Sequence, residues 1–107
     1  MGVAMWVRLC GVGEAPVEGQ VMEAGDVCLA RVSGELRAVE NICPHRGGPL
    51  GQGWIEGGAV VCPWHSWTFD LKTGEAEFPE GERVKVFAVK VEGEDVLVEI
   101  EAAIPAE

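Results

Sequence analysis

Short apolar runs alternate with Gly-rich and acidic breaks along the whole chain. Val27 to Val32 and residues 36–39 flank Ser33-Gly34-Glu35, a hairpin pattern. Ala59-Val60-Val61-Cys62 reads as one short apolar strand, and Trp67-Thr68-Phe69-Asp70-Leu71 alternates before Lys72-Thr73-Gly74-Glu75 turns the chain. Val84, Val86, then Phe87, Val89 and Val91 alternate with one slip in phase, which predicts a bulge near Val86. Glu92-Gly93-Glu94-Asp95 turns into Val96, Val98 and Ile100. No segment sustains a helical repeat; residues 75–83 are too rich in Gly, Pro and charge, and residues 102–107 read as a frayed tail. There is no internal repeat and no linker. The expectation is one all-β domain over residues 1–107, an antiparallel sandwich or open barrel.

The net charge of −10 excludes nucleic acid as a partner, because a polyanion demands the opposite sign. Its distribution says more than its sum. Between residues 41 and 69 there is one acid, Glu56, and one base, Arg46, whereas acids gather at Glu75, Glu77, Glu80 and Glu82 and again from 92 to 107. One end of the molecule is therefore expected to be nearly neutral and the body repulsive to other acidic proteins. No run approaches the roughly 20 apolar residues that cross a bilayer. The opening Met1-Gly2-Val3-Ala4-Met5-Trp6 lacks the basic region of a signal peptide, and Trp6 stands where a myristoylation motif needs Ser or Thr. A soluble, cytoplasmic protein with no membrane contact is expected. Of four cysteines, Cys10 and Cys28 lie in apolar, strand-like stretches, where a free thiol behaves as a small buried hydrophobe. In a reducing compartment they should not form a bridge.

The other two cysteines carry the chemistry. Cys43-Pro44-His45 and Cys62-Pro63-Trp64-His65 each offer one thiolate and one imidazole, with 16 residues between His45 and Cys62. Two matched Cys/His loops meet the need of a Rieske-type [2Fe–2S] cluster, in which two cysteines hold one iron and two histidines the other. A tetrahedral zinc site would accept the same four side chains, although zinc modules commonly pair Cys with Cys and His with His. His45 and His65 are the only histidines in the chain, and both fall in the motif. Pro44 and Pro63 bias the preceding cysteines toward extended backbone. Gly47, Gly48, Gly51 and Gly53 would let backbone amides approach sulfur, while Trp64 and Trp67 would wall off water.

With Arg46-Gly47-Gly48-Pro49-Leu50 after the first pair and His65-Ser66-Trp67-Thr68-Phe69 closing the second, the chain resembles the Rieske-type ferredoxin family, most closely the small subunit of NAD(P)H-dependent nitrite reductases. The resemblance implies the Rieske iron–sulfur fold, an antiparallel β-sandwich base carrying a cluster-binding subdomain over about residues 41–71. It implies one [2Fe–2S] cluster, with Cys43 and Cys62 on the inner iron and His45 and His65, through Nδ1, on the outer. Neutral imidazoles in place of thiolates leave the oxidised cluster with less negative charge, which raises its potential above that of an all-cysteine centre. The high-potential branch adds a disulfide and hydroxyl donors around sulfur. The matching positions here are Gly48 and Trp64, then Trp67 and Phe69, and the chain has no tyrosine. A potential near the low end of the Rieske range, about −150 mV, is expected. Deprotonation of solvent-facing imidazoles should lower it further at alkaline pH.

The family also implies an electron-transfer component without a catalytic site. No histidine remains for a mononuclear iron or for a nucleophile's base, and no Gly-rich dinucleotide motif follows a strand. Partners would be a flavoprotein reductase or a large reductase or oxygenase subunit, docked at the neutral tip around His45, Arg46, Gly47, Pro49, Leu50, His65 and Trp67. The alternative within this fold is the ferredoxin of an aromatic-ring dioxygenase or monooxygenase system. From another class, a redox-sensing module or a zinc structural module would use the same ligands.

Overall fold

The computed structural model describes residues 2–44, 47–64, 66–78 and 81–103. His45, Arg46, His65, Pro79, Glu80 and the tail beyond Ala103 lie outside the described residues. Among the described residues, eleven strands are laid out as three antiparallel sheets, and the two short helical pieces are single 3-10 turns. The outer sheet has the order β1-β11-β10, from Gly2–Gly11, Asp95–Ala103 and Val89–Glu92. The middle sheet runs β2-β3-β4-β9, from Val21–Ala24, Val27–Val32, Glu35–Glu40 and Val86–Phe87. The third runs β5-β6-β7-β8, from Trp54–Glu56, Ala59–Val61, Thr68–Asp70 and Ala76–Phe78.

The middle sheet serves two cores, and the two-residue side-chain period shows how. Val27 and Leu29 face one way, with Ala38 of β4, into a cluster shared with Cys10, Val96 and Val98 of the outer sheet. Cys28 and Ala30 face the other way, with Val39, into a cluster shared with Val60, Phe69, Leu71, Leu50 and the two loop cysteines. This double burial is why residues 27–30 read as a continuous apolar run rather than an alternation. Cys10 and Cys28 therefore belong to opposite cores, and both are free thiols. The β3–β4 hairpin turns through Ser33 and Gly34 at φ 54° and 78°, the pair of positive angles that suits strand twist. Glu18 accepts both of that turn's N–H groups at 2.7 Å.

Three expectations change. The phase slip near Val86 is no bulge: β9 pairs with β4, the chain leaves that sheet at Ala88, and β10 pairs with β11. Ala88 O accepts the Glu99 N–H at 3.0 Å as the strand changes sheets. The third sheet extends past the segment of about residues 41–71 expected for the cluster-binding subdomain, because β8 adds Ala76–Phe78 to its edge. At the C-terminal end, Ala102 and Ala103 remain paired with Val3 and Gly2, so the strand runs further than the expected tail allowed. No helix among the described residues is long and apolar enough to cross a membrane.

Candidate metal centre

Two loops at one end of the molecule present Cys43 and Cys62. The first leaves β4 at Asn41 and returns to a 3-10 turn over Leu50–Gln52; the second is the tip of the β6–β7 hairpin. Each turns back on its cysteine by the same pair of hydrogen bonds. In the first, Cys43 N–H donates to Gly48 O and Gly47 N–H donates to Cys43 O, both at 2.9 Å. In the second, Cys62 N–H donates to Trp67 O at 2.7 Å and Ser66 N–H donates to Cys62 O at 2.9 Å. The residue four places after each cysteine takes the left-handed conformation, Gly47 at φ 76° and Ser66 at φ 60°. Glycine adopts that conformation without penalty, whereas serine is strained there.

Both cysteines are buried, at 1% and 0% exposure, in the same apolar core. The loops also touch. A Cβ built on Gly48 would lie 2.7 Å from Cys62 Sγ and 3.2 Å from the Trp64 ring, so the backbone of one loop closes directly over the thiol of the other. A side chain at Gly48 would press on that thiol and on the Trp64 ring unless one loop shifted. The donor set suits a sulfur-bridged cluster: two thiols reach one core from matching turns, and the sequence of each turn includes a histidine. His45 and His65 themselves lie outside the described residues, so only the cysteine half of the set has a described geometry. No cluster of three metal-binding side chains occurs among the described residues.

Several expected roles change with burial. Leu50 is fully buried beside the two cysteines, so it is core and cannot meet a partner. Gly47 is exposed and Pro49 half-buried, with Pro49 bridged to Ile42; Arg46 lies outside the described residues. Trp67 is half-buried and packs against the core with its ring 6.4 Å from Phe69, as a wall should. Trp64 is 57% exposed, so it does not form the expected wall. Phe69 is fully buried and brings no hydroxyl toward sulfur. Ile42, next to Cys43, is 49% exposed, an apolar side chain at the tip that its place in the sequence did not mark.

Sequence reasoning also missed a polar strut beneath the first loop. Asn41 accepts the Gly51 N–H on Oδ1 at 2.7 Å and donates Nδ2 to Glu23 at 2.8 Å. The other Glu23 oxygen accepts from Gln52 at 3.0 Å. These two donors, Gln52 first and Asn41 second, hold the Glu23 carboxyl below its ordinary range. A strand ending in Asn just before a cysteine loop was the available signal.

A profile of the Rieske [2Fe-2S] domain matches residues 5–88. The ferredoxin component of a naphthalene 1,2-dioxygenase system from Pseudomonas aeruginosa is 34% identical over 95 residues, covering 88% of this chain and 91% of that protein. Among solved structures, the Sphingomonas yanoikuyae B1 ferredoxin matches with a TM-score of 0.78 at 28% identity, over 88% of this chain and 97% of that one. A Mycobacterium tuberculosis protein described as an NADH-dependent nitrite reductase small subunit shares the fold, with a TM-score of 0.78 at 23% identity over 94% and 99% of the two chains.

Proposed function

This chain belongs to the Rieske [2Fe–2S] family, and from that premise we propose that it is a one-electron carrier with no catalytic site of its own. The observation that carries the reading is the pair of matched cysteine turns, with Gly48 closing over Cys62 Sγ. Cys43 and Cys62 would hold the inner iron, and His45 and His65 the outer. When bound, the cluster supplies a site that takes up and gives back a single electron. Around it, the chain excludes water from the sulfur side with Leu50, Phe69 and Trp67. It adds no tyrosine hydroxyl to sulfur, which supports a potential near the low end of the Rieske range, about −150 mV. A redox titration with a clearly positive midpoint would refute that value.

Docking is assigned to the exposed tip rather than to Leu50. Ile42, Pro44, Gly47 and Trp64 are all exposed there, in a stretch with almost no formal charge. A redox partner with a weakly charged, apolar face fits this surface. Ile42→Glu should slow electron transfer to the partner while leaving iron content unchanged, and unaltered kinetics would remove the docking assignment. The free thiols Cys10 and Cys28 suit a reducing compartment, the cytoplasm.

For the electron chain served, the Pro-His-Arg-Gly-Gly-Pro-Leu and Pro-Trp-His-Ser-Trp runs support the small subunit of a nitrite reductase. The 34% identity to a dioxygenase ferredoxin component favours a second reading, a mobile carrier between a flavoprotein reductase and an oxygenase. Stable co-purification with a large reductase subunit supports the first; rapid turnover as a free carrier between two proteins supports the second.

A further inference from the structure

We propose that Asn41, held in orientation by Glu23, is the positioning residue that closes the first cysteine loop around its metal, an inference that rests on the Rieske reading above. The two loops turn alike but stand on different footings. The second is closed at its base by the β6–β7 ladder, where Val61 pairs with Thr68. Among the described residues the first has no strand ladder beneath it, only the isolated bridge between Ile42 and Pro49 and the backbone bonds on either side of it. Asn41 supplies what the ladder would. Its backbone O accepts the Leu50 N–H at 2.7 Å and its Oδ1 accepts the Gly51 N–H at 2.7 Å, so one residue fastens the returning end of the loop twice.

The outgoing end is fixed by the same residue. Asn41 N–H donates to Asp26 O at 2.9 Å in the β2–β3 turn, and Nδ2 donates to Glu23 on β2. Every polar group of Asn41 is used, and it is the only buried polar side chain among the described residues, at 4% exposure. Glu23 faces the cluster side of the middle sheet, paired with Cys28, and also takes Gln52 from beyond the loop. The fit leaves no room: a Cβ on Gly51 would lie 2.5 Å from Glu23 Cγ and 2.9 Å from Asn41 Oδ1. Without the amide, the buried Gly51 N–H loses its acceptor, and the turn that carries Cys43, two residues after Asn41, loses one of its fastenings.

A charge-conserving exchange tests this. Asn41→Asp keeps the acceptor for Gly51 but sets a new carboxylate against Glu23. Adding Glu23→Gln returns a donor between the two positions and restores the net charge. Asn41→Asp should lose its cluster to a chelator at least about tenfold faster than the unaltered protein, the scale seen when partners of metal ligands are removed. Amide exchange in the peptide holding Leu50 and Gly51 should quicken by a similar factor, and the electron paramagnetic resonance line shape of the remaining cluster should broaden. The double variant should recover all three. Val98→Ala, which weakens the opposite core, should lower thermal stability without changing the line shape. The proposal is overturned if Asn41→Asp matches the unaltered protein in cluster loss and exchange, or if the double variant is no better than the single. Absence of iron from the unaltered protein would instead overturn the Rieske reading and the role built on it, and the exchange data would still report whether the clasp exists.

Discussion

The loop around Cys62 crowns a β-hairpin, whereas the loop around Cys43 hangs between a strand end and a 3-10 turn, fastened by a few backbone bonds and the Asn41 side chain. Both reach the same hydrogen-bonded turn with a buried cysteine at its start. Equivalent cysteine turns are thus produced once by the repeating hydrogen bonds of a sheet and once by a few specific polar contacts. The difference decides how each half can fail. The second loop should persist for as long as the third sheet does, while the first can open locally without the sheets melting.

The largest effect should be shared. Cys43→Ala and Cys62→Ala should each abolish visible absorbance and iron content, since either removes a proposed thiolate ligand. Retention of the cluster in one variant would break the equivalence of the loops. Next, Phe69→Ala empties a fully buried site under the second loop, and should cost about 3–5 kcal/mol in denaturant unfolding. Cluster release in that variant should track global unfolding; release well before unfolding would contradict the footing assigned to that loop.

A smaller and more discriminating pair exchanges the left-handed residues. Gly47→Ala should destabilise by about 1–2 kcal/mol, because a side chain is strained at φ 76°. Ser66→Gly should stabilise by a few tenths of a kcal/mol, relief of strain being offset by the freer unfolded chain. Thermal melts of the two holoproteins check both signs; shifts in the same direction would show that the turns are not equivalent.

The smallest effect concerns Cys28, which shares the core of the loop cysteines but projects from a strand. Burial pushes its thiol up to about 12 from an ordinary 9. A proton held more tightly in the folded state gives stability present below pH 9 and lost as pH rises from 9 toward 12. Alkylation of the folded protein at pH 8 should therefore spare Cys28, as mass mapping would show. Rapid labelling would mean that the core around it opens readily.

Much of this was legible in the residues. The strands at Val27–Val32, Ala59–Val61 and Thr68–Asp70 follow directly from apolar runs bounded by turn residues. The Cys/His spacing marked the loops because it is a local pattern. What escaped depends on contacts between distant segments. Ala88 looks like a phase error until two different sheets are available for the chain to join. Leu50 reads as a tip residue from its place after Pro49, but a 3-10 turn folds it inward beside the cysteines. The link from Glu23 to Asn41 spans 18 positions, and no local pattern couples an acid on a strand to an amide that far along.

The most direct test is pulsed electron paramagnetic resonance of the dithionite-reduced protein. The account predicts a [2Fe–2S]⁺ signal with hyperfine coupling to two directly bound imidazole nitrogens, lost when His45 and His65 are replaced together. A signal without bound nitrogen, or a protein that contains zinc and no iron, would contradict it.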